Sequence, residues 1–277
     1  MSSAKLAAVA LALGAWLLGS SSGATGAVGA VRASAAVPWA TTELSVFFLR
    51  SGRLQPVRRM LPKTQAVAAA ALRQLLAGPS LAERRAGLAS AVPKGTRLLS
   101  VSVRSEIATV DLGGRFAAGG GSLSVRGRLA QLVFTLTQFP TVQAVRLELD
   151  GKPVSQFSGE GLIIDHALAR DAFDDILPQV LIEAPLTGDR VPARVAVTGS
   201  ADVFEGVFRL RLRDARGHVV AETRVQAPSG TGTRGPFHAA LRVPRGVEGA
   251  MVLEAMVQSP KDGTWRVADQ SRVEVAP

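Results

Sequence analysis

From residue 180 onward the chain alternates apolar and polar residues in short runs, and this period of two most narrows what it can fold into. In "GVFRLRLRD" Phe208, Leu210 and Leu212 fall on one face, and Arg209, Arg211 and Arg213 fall on the other. A helix cannot segregate such a pattern, but a strand with one face buried does so directly. The runs "QVLIEAP", "ARVAVTGSA", "HVVAETRVQA", "GPFHAALRV", "AMVLEAMVQS" and "TWRVADQSRVEV" are similarly short and are separated by turn residues. Seven such segments in about 100 residues predict an antiparallel β-sandwich. The chain has no cysteine, so the sandwich has no inter-sheet disulfide and is held by packing. The same absence excludes thiolate metal sites, thiol catalysis and a lipid-modified N-terminal cysteine.

The preceding stretch has a different rhythm. "ELSVFFL" (43–49) reads as a strand. "LPKTQAVAAAALRQLLAG" reads as a helix with Thr64 as N-cap, Gly78-Pro79 as its end, and Val67, Ala71, Leu72, Leu75 and Leu76 as its buried face. "RLLSVSV" and "EIATVDL" read as a hairpin, "SLSVRGRLAQLVFTLTQFP" as a second helix, and "VQAVRLELDG" as a closing strand with Val145, Leu147 and Leu149 on one face. The fold class expected is therefore α+β. A two-layer β-α-β-β-α-β domain over 42–165 is joined by a linker (166–178) to an all-β immunoglobulin-like sandwich over 179–277.

The N-terminus has Lys5 and then an apolar run from Leu6 to Leu18, 13 residues long. That is too short to cross a hydrocarbon core of about 30 Å as a helix. A basic start, a short apolar run and small residues, with Ala33-Ser34-Ala35 offering an A-x-A pattern, predict a signal peptide over 1–35. The chain is thus expected to be secreted or associated with the cell envelope, with no membrane span in the mature part.

Charge is unevenly divided. Residues 41–165 carry 16 Lys and Arg against 8 Asp and Glu, whereas residues 166–277 carry 14 of each. The densest basic cluster is Arg50, Arg53, Arg58 and Arg59. No aromatic residues are interleaved there to stack bases, and export conflicts with a nucleic-acid partner. A partner that is an envelope protein or an anionic wall polymer fits better, as does association of the chain with itself.

Several spaced motifs carry a family resemblance. L-x-G-P at Leu76–Pro79, G-L-x-S-x-x-P at Gly87–Pro93, V-D-L at 110–112 and T-L-T-Q at 135–138 occur in order across 44–151. This part resembles the GerMN domain of sporulation and germination proteins. Farther on, G-x-A-x-x-F-E at Gly199–Glu205, G-x-F at Gly235–Phe237 and S-x-x-D-G at Ser259–Gly263 make the stretch from about Val180 to Val275 similar to the immunoglobulin-like Gmad domain, which often accompanies GerMN. The pair implies an exported, non-catalytic protein of spore germination or sporulation type that assembles with envelope partners. It implies no catalytic residue, metal or cofactor. Candidate partner residues on the first domain are Arg50, Arg53, Arg58, Arg59, Asp111 and Gln138.

Residues suited to catalysis are few. His166, His218 and His238 have no metal-ligand spacing, and no G-x-S-x-G nucleophile elbow occurs. Two acid pairs, Asp111 with Asp150 and Asp202 with Glu205, have the composition of a glycosidase dyad, but tyrosine is absent and only three tryptophans are present. A wall-polysaccharide binder or hydrolase is therefore the alternative reading. The loop "LGGRFAAGGGSLS" lacks the lysine and spacing of a phosphate cradle and reads as a connector.

Overall fold

The computed structural model describes residues 40–157, 162–228, 230 and 232–276; the expected signal peptide and its cleavage site lie outside them. In the first half β1 (Thr41–Arg50) and β2 (Arg53–Pro62) are followed by α1 (Val67–Ala77), the single-turn α2 (Leu81–Arg85), β3 (Leu88–Ala89), β4 (Leu98–Arg104) and β5 (Ile107–Leu112). Then come α3 (Ser122–Leu136), β6 (Ala144–Leu149) and the two-residue strands β7 (Lys152–Pro153), β8 (Gln156–Phe157) and β9 (Leu162–Ile163).

The expected β-α-β-β-α-β elements are present with β2, α2 and β3 inserted among them, and the strands belong to more than one sheet. β1 pairs along its full length with β2, antiparallel, and at its end with β3, giving the order β2-β1-β3. A separate sheet has the order β4-β5-β6-β7, with β5 and β6 parallel across α3. Strand β2 escapes a reading by alternation because Pro56, Pro62 and three arginines interrupt it. Proline is tolerated there because β2 is an edge strand. The hairpin between β4 and β5 turns through Ser105 and Glu106, both with positive φ (48° and 62°), as a tight two-residue turn requires. Helix α1 begins later than expected: Ala66 is its N-cap, and Thr64 instead accepts a bond from the Ala66 N–H. The true side-chain cap is on α2, where Ser80 and Glu83 form a capping box.

Helix α3 is buried on nearly every side, including Arg128, Gln131 and Thr135. Its polar side chains bond the backbone of neighbouring segments. Gln138 Nε2 donates to Ser45 O (2.6 Å) while its Oε1 accepts from Ser45 N (2.7 Å). Thr135 Oγ1 accepts from Phe47 N (3.2 Å), and Gln131 Nε2 donates to Phe47 O (2.9 Å). The edge of β1 left open by the missing strand is thus paired by side chains of α3 and of Gln138 just beyond its end.

The second half contains β10 (Val180–Ala184), β11 (Arg190–Val191), β12 (Arg194–Ala201), β13 (Val207–Arg213), β14 (Val219–Gln226), β15 (Gly235–Arg242), β16 (Gly249–Gln258) and β17 (Trp265–Val275). All seven segments read from alternation are strands. They form a three-stranded sheet, β10-β12-β15, and a five-stranded sheet, β11-β17-β16-β13-β14. Phe208, Leu210 and Leu212 are fully buried, as their spacing requires, with Phe208 edge-on to Phe237 (centroids 4.9 Å). Of the alternating arginines, only Arg209 is well exposed; Arg211 lies across from Glu254 on β16 (2.5 Å).

Residues between the halves do more than connect. Leu168, Phe173, Ile176 and Leu177 are buried in the first core, and Arg126 grips Asp175 through two bonds (2.5 and 3.0 Å).

The side-chain pairing of β1 yields a direct expectation. Gln131→Leu leaves Phe47 O and Ala91 N, both partners of Gln131, without a hydrogen bond. The loss should be about 1–3 kcal/mol per buried group, read as a lower urea midpoint at unchanged m-value.

Candidate functional site

The four arginines expected to form a partner surface are built on the β1–β2 hairpin, which brings them together. The fold ties three of them down. Arg53 donates to the carbonyls of Asp175 and Leu177. Arg58 pairs with Glu43 and with Asp189 of the second half. Arg59 forms a fork with Glu83 (2.6 and 2.8 Å) and lies 5.6 Å from the centre of the Phe48 ring. Arg50 differs: its guanidinium makes no hydrogen bond or ion pair among the described residues, and its Nε is buried. The other two candidates lie elsewhere. Gln138 is engaged by Ser45, and Asp111 Oδ1 accepts from Gly151 N (3.0 Å). The six residues therefore do not form one free surface.

Three of the four paired acids are likewise engaged with backbone. Asp150 Oδ2 accepts from Gly114 N (3.0 Å), so Asp111 and Asp150 fasten the β6–β7 turn and the start of the glycine-rich loop. That loop is held from behind: buried Arg128 donates to the carbonyls of Ala91, Phe116 and Gly119 and lies against the rings of Phe116 and Phe157. Asp202 Oδ1 accepts from Gly232 N (2.9 Å). Glu205 has φ of 53°, and its carbonyl accepts from Gln226. In this stretch Val203 is the core residue, and Phe204 is 60% exposed. Gly199 has a steric purpose, since a Cβ there would lie 1.9 Å from Leu181 O across the sheet. His166 and His218 are exposed beside Asp165 and Asp214, and His238 is exposed on β15. Among the described residues, no group of three or more His, Cys, Asp or Glu could hold a metal ion.

Two concave regions stand out. A cleft of about 470 Å³ on the sandwich is lined by Asp202, Phe204, Glu205, Arg209, Arg224 and Trp265 among others. Arg209 sits over the Trp265 ring at 4.3 Å. A second cavity, of about 290 Å³, lies where the β1–β2 hairpin meets β10 and β17, with Arg50, Gln55, Arg58, Ile182, Asp269 and Ser271 in its walls. Asp269 joins the halves there: its Oδ1 accepts from Gln55 Nε2 and Gln270 N, and its Oδ2 accepts from Ile182 N, each at 2.8 Å. No signal in the sequence marked Asp269, although it shares the buried face of β17 with Ser271, Val273 and Val275. Burial pushes its carboxyl up to about 6, against the opposing pull of these hydrogen bonds and of the Arg50 charge.

A carboxyl raised from 3.8 to about 6 on folding holds its proton longer in the folded state. Between those values the unfolded chain binds fewer protons, so this group makes stability fall as pH rises through the window. Asp269→Asn should remove that component, on the order of 2 kcal/mol, and flatten the curve between pH 4 and 6 relative to the parent in urea melts.

Comparison with known proteins follows the same division. Residues 45–155 match the Germane family model, described as sporulation and spore germination. Residues 179–264 match the Gmad2 model, the immunoglobulin-like domain of bacterial spore germination. No curated protein matches the chain. Among solved structures, the tandem GerMN domains of the sporulation protein GerM from Bacillus subtilis align at 15% identity and a TM-score of 0.44, over 73% of this chain and 62% of that one. The chain thus spans less than two thirds of that structure's length. The first GerMN domain of the same protein aligns at 20% identity and a TM-score of 0.40, over 47% of this chain and 99% of that one. On the two family-model matches, the chain carries a GerMN-type domain of the sporulation and spore germination family, followed by a Gmad2 immunoglobulin-like domain.

Proposed function

We propose that the chain is an exported, non-catalytic envelope protein of spore germination or sporulation type, which assembles with copies of itself through its GerMN-type half. The domain pair supports the setting. The observation that carries the assembly is the open edge of β4. Among the described residues this strand pairs only with β5, and Leu99 and Val103 on it are 44% and 39% exposed. The register slips between Leu98 and Ser100, which leaves Ser100–Arg104 as a straight run. Antiparallel pairing of two such runs about Ser102 sets Val101 opposite Val103, apolar against apolar. An unprotected edge of this composition is a template for strand addition. Three of the four hairpin arginines are held by the protein itself, which leaves β4 as the better surface. Among the described residues no helix is long and apolar enough to cross a membrane.

Light scattering after size exclusion, on the chain from Ala36, tests the assembly. The parent should self-associate, and Val103→Lys should weaken association at least tenfold while leaving the thermal midpoint unchanged. A strict monomer that captures no envelope partner would sink the assembly reading.

A second reading rests on the sandwich cleft, where the exposed Phe204 and the Trp265 ring offer faces to a sugar beside Asp202 and Glu205. It makes the protein a binder, or a hydrolase, of wall polysaccharide. On that reading the protein sediments with purified peptidoglycan, and Phe204→Ala with Trp265→Ala abolishes sedimentation. Released fragments that vanish in Asp202→Ala would identify a hydrolase.

A further inference from the structure

We propose that the hollow where the β13–β14 turn meets β16 and β17, on the outer face of the five-stranded sheet, binds a phosphate monoester. The hollow measures about 390 Å³ and is lined by Arg213, Arg216 and Arg272, with Asp214 as its acidic residue. The strand register sets these groups side by side. Arg213 and Arg272 both pair with Val252 of β16, one from each side, so the three residues share one face. Neighbouring strands lie about 4.8 Å apart, which puts the two arginines about 10 Å apart with Val252 between them. Arg216 projects from the turn that follows Arg213. Gly217 in that turn leaves room for the cluster, since Arg213 Nη2 lies 3.5 Å from where a Cβ would stand.

Positive charge is in excess there and open to solvent. Arg216 and Arg272 are exposed, and their guanidinium groups make no hydrogen bond or ion pair among the described residues. Arg213 competes with Arg211 for one carboxylate: Glu254 takes Arg211 at 2.5 Å and stands 3.7 Å from Arg213. Asp214 is turned to its own hairpin, where Oδ1 accepts from Arg216 N (2.9 Å) and His218 N (2.8 Å) and Oδ2 lies 3.4 Å from His218 Nδ1. Two free guanidinium forks and a third, half-matched one call for more than one negative charge and several acceptor oxygens. A phosphate monoester brings a charge of about −1.5 to −2 at neutral pH and three such oxygens, in the geometry an arginine fork fits. A carboxylate or a phosphodiester brings one charge. The hollow has the volume of about thirteen waters, so it takes a phosphate with a small group attached, over the apolar floor of Ala250 and Val252. The ester can be a soluble one or the headgroup of a lipid. The site is on the sandwich and does not involve β4, so it stands apart from assembly through that strand.

Titration calorimetry on the full chain with glycerol 3-phosphate, dimethyl phosphate and acetate tests the site. Flotation with phosphatidylcholine vesicles, with and without phosphatidic acid, tests the lipid source. Glycerol 3-phosphate should saturate one site per chain, with dimethyl phosphate and acetate about tenfold weaker or more. Arg216→Gln and Arg272→Gln should each weaken it about tenfold, as the loss of a charge-assisted hydrogen bond does. Both side chains are free of the rest of the protein, so the thermal midpoint should stay at the parent value. Arg242→Gln, which removes an exposed arginine from β15 on the other sheet, should bind as the parent does. Capture of phosphatidic acid vesicles alone, lost in Arg272→Gln, supports a lipid headgroup; binding of glycerol 3-phosphate without vesicle capture supports a soluble ester. The proposal is overturned if neither form of the monoester binds saturably, if dimethyl phosphate or acetate binds as well, if Arg216→Gln and Arg272→Gln both retain parent affinity, or if Arg242→Gln weakens binding as much as they do.

Discussion

The first domain depends on one set of contacts: Gln131 and Thr135 on one face of α3, Gln138 just past its end, and the backbone of β1 that they satisfy. Gln131 and Thr135 are one turn apart on α3, and Gln138 follows just after the C-cap Thr137. Their amide and hydroxyl groups meet the N–H and C=O of Ser45 and Phe47 at alternate positions of the strand. A strand flanked on one side by a helix would otherwise bury a row of orphaned backbone groups, at a cost a domain of this size could not sustain. The T-L-T-Q motif at 135–138 is part of this substitute for a strand. That explains why polar residues persist in a helix buried almost all round.

The position of β1 governs the junction with the second domain. Its hairpin with β2 carries the basic cluster there, where Arg58 meets Asp189 and Gln55 meets Asp269. The excess positive charge of the first half is thus partly engaged with acidic groups and carbonyls of the segments that pack on it, including Asp175 through Arg126. An uneven charge count alone suggests an anionic partner; here several of the anions belong to the same chain. The buried Asp269 makes this junction sensitive to pH, because its desolvated carboxyl accepts bonds from Gln55 of the first half and Ile182 of the second.

Much of the architecture was legible from residue order. Period-two alternation located every long strand of the sandwich, and apolar spacing located α1 and α3. Strand β2 was hidden because edge strands admit the prolines and arginines that central strands reject. The cap of α1 was misplaced because Thr64 is a residue of capping type two positions before the true boundary, and nothing local distinguishes the two. The site was far less legible. Arg50, Arg53, Arg58 and Arg59 look equivalent in sequence, yet three have partners and one does not. The difference depends on residues 15 to 131 positions away. Asp202 and Glu205, which have the composition of a catalytic pair, bracket a core valine and an exposed phenylalanine at a corner of the sandwich.

The sequence by itself determined the local structure and the family: which segments are strands or helices, where the pattern changes, and the order of a GerMN-type and a Gmad2 domain. It could do so because periodicity and turn chemistry act over a few residues at a time. Only the tertiary structure decided which polar groups are satisfied and which are left unpaired. Pairing, desolvation and cavity formation depend on distant segments meeting, as Gln55 and Ser271 do in one wall, and no stretch of the chain encodes that meeting on its own.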